Sequence, residues 1–498
     1  MSKQKRERLF SLHSLLGLCV AFILYVVCFS GTYAVFTASL TRWENPEISV
    51  QYEGAPASID AEYEAFIDSL PDTAKIPMVI TYYPTPDMPF YKVQALVSAG
   101  GPPKPTIAQF SAANGERLEA RGTSLSQWMA YFHTDLWLPY PLGRSLIGIS
   151  GLLLLLMVIS GLYMNNKLVK RSFLWRPDKS LKLLLLDSHN MLGLWGFLFH
   201  GVIAFSGAVL GLGALSGVIF GALVLGPGEH AHLEPLEMPQ LESHGEMVPS
   251  ITPDRVLQIS KSVSGEIPAL GILVNNGKDN AVVRIYYEVE KPLVSYGVLD
   301  LNGVTGEVIA HNPTPQSIIP RLYISVRPLH TGAFGGVWLK ILYGVLGAIL
   351  CLIILSGILM WLERTSATLA KVGKASSISF MFMEKLSVGV CVGFPVATLL
   401  SIYVDQMMVV EAARRAYWVG VSVFTIWGFA ALYACALKTH TSLRALLGIA
   451  CIALFGLPIL NLVGAGGFVS ASLIPNAVFI SLAGILVFVI RKLPKTLA

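Results

Sequence analysis

Charge is scarce in this chain. Of its 498 residues only 13% are Asp, Glu, Lys or Arg, against 54% hydrophobic. With a mean hydropathy of +0.61, that excludes an ordinary soluble domain and points to a polytopic membrane protein. Cysteine is also sparse: Cys19, Cys28, Cys351, Cys391, Cys435 and Cys451 all lie in apolar runs. The hydrophilic segments therefore carry no disulfide framework. No Cys-x-x-Cys-His occurs, which excludes covalently attached c-type haem, so that any haem is b-type. There is no Gly-x-Gly-x-x-Gly in a strand–helix context and no P-loop. A nicotinamide or flavin donor would have to be held by another protein.

What is present is long apolar sequence. A span needs roughly 20 apolar residues, and eight stretches qualify: 14–38, 144–165, 191–224, 337–362, 380–404, 416–437, 443–463 and 474–490. Lys and Arg set the orientation. Lys3, Lys5, Arg6 and Arg8 precede the first span; Lys167, Lys170, Arg171, Arg176, Lys179 and Lys182 separate the second from the third. Lys371, Lys374, Lys385, Lys438, Arg444, Arg491, Lys492 and Lys495 fall on the same side. That side is expected to be cytoplasmic, with both termini on it. The net charge of +5 thus reports topology and implies no nucleic-acid partner. A cleaved signal peptide competes for residues 1–38, but the apolar run exceeds an h-region of roughly 7–15 residues and carries the repeat described next.

Four histidines each begin a similar word. His13 opens LHSLLGL and His189 opens SHNMLGL; His133 opens FHTDLWL and His330 opens LHTGAFG. From His13 to the FSG ending in Gly31 is 18 residues, and from His189 to the FSG ending in Gly207 is again 18. After His133 comes ISGLYM with Gly161, and after His330 comes LSGILM with Gly357, at offsets of 28 and 27. By topology His13 and His189 share the cytoplasmic face, and His133 and His330 the other. Neutral imidazole is a common axial ligand of haem iron, and two imidazoles fill both axial positions. The expected pairing is His13 with His189 and His133 with His330, one ligand from each repeat, holding two b-type haems. A histidine at a helix mouth is unremarkable alone; four in a duplicated pattern are not. Gly17 and Gly193, four residues after their histidines, would let a flat macrocycle approach the backbone.

The segments between the spans repeat as well. The first insertion, 39–131, reads as a short helix from Asp60 to Leu70, then strands at 78–83, 90–98 and 106–112 with an Asn114-Gly115 turn. The second, 226–329, has a helix start at Thr252-Pro253-Asp254. Strands follow near 269–274, 281–289, 294–301 and 304–310, with Asn302-Gly303 as a turn. The expected organisation is a helix at 8–38, domain 1 at 39–131, a helix at 132–165, a loop at 166–188, a helix at 189–225, domain 2 at 226–329 and a helix at 330–363. Four additional helices follow at 380–490. A parallel repeat of this kind puts sites between its halves.

Other polar residues have blander readings. Arg144 and Arg327, with Arg321, run against the charge bias; a guanidinium pairs well with carboxylates, so haem propionates compete with headgroup contact as their partners. His200 lies eleven residues after His189, expected on the same helix face about 16 Å along it. Because span 1 has Leu24 at the equivalent position, His200 is expected to be a hydrogen-bonded bundle residue. Glu229-His230-Ala231-His232 with His244 reads as a solvated linker ahead of a metal site. Asp405, Glu411, Arg414 and Arg415 read as a solvated loop.

With these words in hand, the LHSLLGL…FSG, FHTDLW…ISGLYM, SHNMLGLWG…FSG and LHTGAFGG…LSGILMWLE segments resemble the PepSY-associated transmembrane family over residues 8–365. Its members include iron-regulated bacterial inner-membrane proteins and di-haem ferric-siderophore reductases. The resemblance implies a polytopic α-helical membrane protein of about eight spans with two small α+β PepSY-like periplasmic domains inserted in a tandem repeat. It implies electron transfer from a quinol or cytoplasmic reductase to a ferric siderophore or other periplasmic acceptor. Reduction releases iron because oxygen-rich chelators hold Fe(III) better than the softer Fe(II). Two other classes compete: a transporter of iron or siderophore, disfavoured by the few intramembrane charges, and a haem-free PepSY scaffold or regulator.

Overall fold

The computed structural model describes residues 3–46, 54–70, 75–85, 88–98, 104–118, 122–164, 173–176, 178–213, 238–291, 294–312, 318–410, 412–464 and 472–493. The chain forms two compact units. One comprises 1–44, 123–214 and 329–498; the other comprises 45–122 and 215–328.

The first unit is helical. Its elements are α1 (Lys3–Ala34), α2 (Thr37–Glu44), α4 (Leu125–Asp135), α5 (Leu142–Met164), α6 (Leu181–Trp195), α7 (Phe197–Gly211), α10 (Gly336–Lys371), α11 (Ile378–Cys391), α12 (Gly393–Met407), α13 (Ala412–Ala436), α14 (Thr439–Gly464) and α15 (Leu473–Lys492). Among the described residues seven stretches are long and apolar enough to cross a membrane, α11 and α12 counting together; the bent pair α6–α7 makes an eighth. Outward-facing Leu, Ile and Phe on these helices, such as Leu152, Leu156, Ile452 and Phe488, are exposed, as a lipid-facing surface requires. The chain is a polytopic helical membrane protein.

Two sequence expectations need correction here. The third span does not start near 191: α6 begins at Leu181, and a 69° bend separates it from α7. The break falls at Gly196, where a Cβ would lie 2.3 Å from His200 Cε1. His189 and His200 therefore do not share a helix. Residues 214–237, including His230 and His232, lie outside the described residues. Nor does the second span run unbroken from His133. Leu136 (φ 54°) and Trp137 (φ 61°) take left-handed backbone, which ends α4 and leaves His133 on a helix of its own.

Close helix approach follows from small residues. Alpha-5 meets α7 where a Cβ at Gly211 would stand 2.5 Å from the Gly148 Cα. Between α11 and α12, Pro395 has no N–H to give to the carbonyl four residues back. Tyr25 Oη of α1 donates to that carbonyl, Cys391 O, at 2.8 Å.

The second unit contains α3 (Asp60–Asp68), α8 (Pro253–Ser264) and strands β1 (Lys75–Tyr82), β2 (Phe90–Ser98), β3 (Lys104–Ser111), β4 (Arg117–Leu118), β5 (Pro268–Val274), β6 (Val282–Lys291), β7 (Val294–Asn302) and β8 (Val308–Asn312). A further helix, α9 (Ile318–Thr331), leads out of it. The insertions, expected as two domains, form one antiparallel eight-stranded sheet in the order β4-β3-β2-β1-β5-β6-β7-β8. The seam is β1 against β5, with Ile80 opposite Ile272, so each insertion covers the edge that the other would expose. Alternate residues Tyr91, Val93 and Ala95 of β2 are buried, as a strand with one covered face demands.

The two insertion helices start by exchanging carboxylates. Asp60 accepts from Thr252 Oγ1 at 2.7 Å and from Asp254 N at 3.1 Å. Asp254 in turn accepts from Ser58 Oγ and from Ile59 N. Each acid serves the open N-terminus of the other helix, an arrangement that reflects the duplication. The second hairpin turns at Thr305-Gly306 (φ 79°), matching Asn114-Gly115 (φ 77°); Asn302-Gly303, expected as the turn, ends β7, and Asn302 Oδ1 accepts from Val304 N and Thr305 N.

Candidate functional site

The helical unit brings the four histidines together in two pairs. His13 of α1 and His189 of α6 have ring centres 6.4 Å apart, with planes at 89°. His133 of α4 and His330 of α9 have ring centres 6.0 Å apart, with planes at 17°. Two imidazoles bound on opposite sides of one metal ion, with metal–nitrogen bonds of about 2 Å, put their ring centres about 6 Å apart. A direct hydrogen bond between the rings would bring the centres to about 5 Å. Both observed separations leave room for a metal ion between the rings and also lie in the range of ordinary ring-to-ring contact.

Each ring is held through Nδ1 by the same device. His13 Nδ1 lies 2.9 Å from Ser160 Oγ, His189 Nδ1 2.9 Å from Ser356 Oγ and His330 Nδ1 2.9 Å from Ser206 Oγ. His133 Nδ1 lies 3.4 Å from Ser30 Oγ. Every one of them also meets the carbonyl three residues before that serine: Met157, Ile353, Ile203 and Val27 respectively. The serine hydroxyls donate to those same carbonyls. A hydroxyl whose proton is committed to a carbonyl can only accept from the imidazole, and a carbonyl can only accept. Nδ1 therefore carries the proton and Nε2 the lone pair, the tautomer a metal requires. Burial lowers the pKa of His133 and His330, the latter to about 4 with His133 beside it adding to the shift. Both shifts favour the neutral ring, the form in which histidine binds a metal.

The glycine after each serine lies against the ring. A Cβ at Gly31 would sit 2.7 Å from His133 Cε1; at Gly207, 3.1 Å from His330; at Gly161, 3.4 Å from His13; at Gly357, 3.6 Å from His189. Ser-Gly within one helix thus lies against a histidine from another. The repeat words contained these pairs, but they served there only as markers of the repeat, so the four serines are candidate site residues that sequence reasoning passed over. His133 meets α1 at Val27 and Ser30, about 14–17 residues beyond His13, so the two pairs are roughly 21–26 Å apart along α1.

Other expected residues fall into place unevenly. A Cβ at Gly193 would meet no atom within 4 Å, and at Gly17 only Met157 Sδ at 3.5 Å, so both leave room for a flat group beside the first pair. Arg144 is exposed at the start of α5, and Arg327 is exposed on α9 three residues before His330. His200 is buried and hydrogen-bonded to the Leu346 backbone, with Nε2 unpartnered. His244 is exposed, its N–H bound to Asp279. Among the described residues no cluster of three or more His, Cys, Asp or Glu forms a metal site. Asp405 and Arg415 are not solvated: they are 0% and 3% exposed and form a salt bridge at 2.9 Å. Arg414 is exposed, and Glu411 lies outside the described residues.

Against known proteins, the family model described as the PepSY-associated TM region matches residues 10–364. An uncharacterized protein of Pseudomonas aeruginosa, PA4219, is 28% identical over 335 residues, covering 64% of this chain and 82% of its own length.

Proposed function

This chain belongs to the PepSY-associated TM family, and on that footing we propose that it is a di-haem b membrane oxidoreductase. His13 and His189 would hold one haem, His133 and His330 the other. Haem held by these four histidines would supply one-electron carriers, which suits electron transfer. The observation that carries this reading is the pair of imidazole couples at metal-bridging separation, each with Nδ1 committed to a serine and a carbonyl.

The chain's own groups do the rest. The Ser-Gly seats fix ring position and tautomer before any metal arrives, so little ordering is left to be done on binding. Apolar helices keep water away. Arg144 and Arg327 would serve the acidic edge of the cofactor at the second pair. From the Lys and Arg bias, the first pair faces the cytoplasm of a bacterial inner membrane and the second pair the periplasm. Electrons from a quinol or a cytoplasmic reductase would pass to a periplasmic acceptor, a ferric siderophore best fitting the family resemblance, with release of Fe(II). By the same Lys and Arg bias, the insertions that make the sheet unit, in this reading two PepSY-like halves, would be periplasmic.

The test is a reduced-minus-oxidised spectrum with pyridine haemochrome quantitation. Two b haems per chain are expected, falling to one in His13→Ala and in His133→Ala. Purified protein made with ample haem that contains none would remove the reading. Ring orientation gives a finer check, because the angle between axial imidazole planes sets the splitting of the iron d orbitals. Low-spin ferric EPR should show one signal of the perpendicular type, lost in His13→Ala, and one of the parallel type, lost in His133→Ala.

A further inference from the structure

The five helices α11–α15 after residue 375 lie beyond the family-matched region, yet they grip the helix that carries His133. Alpha-4 has no side-chain cap of its own: Ser124 at its N-cap makes none. Its first free N–H groups go instead to two distant carboxylates. Leu125 N donates to Asp405 Oδ2 of α12 at 3.3 Å. Ser126 N and Oγ donate to Glu44 Oε1 of α2 at 3.1 and 2.7 Å. Asp405 is fixed by Arg415 of α13, whose Nε reaches Oδ1 at 3.0 Å and whose Nη2 reaches the Asp405 carbonyl at 2.6 Å. Glu44 is fixed by Gln406, which donates to its carbonyl at 2.8 Å. The neighbouring Trp43 is clasped by Asn461 of α14 and Asn476 of α15. Glu44, Asp405 and Arg415 are each at least 97% buried.

The same helices pack the face of α4 below that cap. Trp128 and Phe132, both buried, stack at 5.1 Å. Phe132 meets Phe394 of α12 at 5.7 Å and Phe424 of α13 at 5.9 Å. Gly420 admits Trp128, whose Nε1 would lie 2.9 Å from a Cβ there. His133 is the next residue after Phe132, about two helical turns from the cap.

We propose that α11–α15 act as a buttress for His133, with Asp405, Arg415 and Glu44 as positioning residues that set its ring angle against His330. Capping carboxylates favour the N-terminus of a helix by charge and by hydrogen bonding, and a buried acid held by arginine cannot swing away. This assignment rests on the di-haem reading and gives the C-terminal helices a part in it. They touch the second site through α4.

The experiment uses the full-length protein loaded with haem. Asp405→Asn keeps the shape but removes the charge and one of the two acceptor oxygens, so Leu125 N and Arg415 can no longer both be served; a conservative Asp405→Glu restores the carboxylate. Asp405→Asn is expected to shift the midpoint potential and EPR signal of the parallel-type haem and to lower its occupancy at limiting haem roughly tenfold. The perpendicular-type haem should not change, and Asp405→Glu should recover part of the effect. Should Asp405→Asn fail to fold, the double change Asp405→Leu with Arg415→Met removes the buried pair without leaving a charge behind and must give the same one-sided effect. Unchanged spectra, or equal changes at both haems, would overturn the proposal while leaving the di-haem reading in place. Wild-type protein without haem removes both.

Discussion

The two histidine pairs are made from the same parts and arrive at different angles. Both use Ser-Gly seats, both anchor their rings through Nδ1, and both bridge the repeats. Yet the His13–His189 planes stand at 89° and the His133–His330 planes at 17°. The difference shows what duplication preserves and what it leaves free. A seat on a helix is local: a serine, the carbonyl one turn back and a glycine, all within five residues. Ring angle depends on how the helix bearing the histidine enters the bundle. His13 lies on a long helix that crosses directly. His133 lies on an eleven-residue helix whose start is held by acids from elsewhere in the chain.

The largest effect that would break this comparison comes from the glycine seats. Gly31→Ala places a methyl 2.7 Å from His133, whereas Gly357→Ala places one 3.6 Å from His189, an ordinary contact. Gly31→Ala should cost the protein its parallel-type haem almost completely, and Gly357→Ala should keep both; haem content per chain reads this directly. Equal outcomes would mean that the seats do not fix the rings.

A smaller effect is expected from the serines. Ser356→Ala removes one acceptor from His189 Nδ1 but leaves the Ile353 carbonyl at 3.1 Å. Loss of an outer partner of a metal-bound histidine costs roughly 10–100-fold in affinity, and with the carbonyl retained the lower end applies. Ser30→Ala should cost less still, because His133 sits 3.4 Å from that hydroxyl and 3.0 Å from its carbonyl. Haem titration of the two variants compares the pairs; a greater loss in Ser30→Ala would reverse the ranking.

The smallest effect is in pH. Burial, and after it the Asp405 charge, pushes the Glu44 carboxyl up to about 8 from its ordinary 4.5. A group whose pKa is raised on folding gives its full stabilisation below the unfolded value and loses it as pH climbs through the folded one. Thermal stability should therefore fall between pH 4.5 and about 8, and Glu44→Gln should flatten that slope. Melting curves across this range check it, with no slope in the wild type counting against the assignment.

Much of the candidate site was legible because its signals are short and repeated. Four histidines at matched offsets named the pairs, and the same offsets carried the Ser-Gly words, whose meaning needed only the knowledge of which helix faces which. The spans were legible for a related reason: lipid demands about 20 apolar residues whatever their partners. The break at Gly196 was not, since a single glycine within an apolar run admits a straight helix as readily as a bent one. The joining of two insertions into one sheet was equally hidden, because edge strands carry no local mark of what covers them.

By itself, then, the sequence determined that this is a multi-span helical protein with a duplicated histidine framework, since hydropathy and repeat spacing act at short range along the chain. Only the tertiary structure decided the ring angles, the serine seats' partners and the burial of Asp405 with Arg415. Those depend on groups up to 280 residues apart, and no short-range pattern records where such a group finds its counterpart.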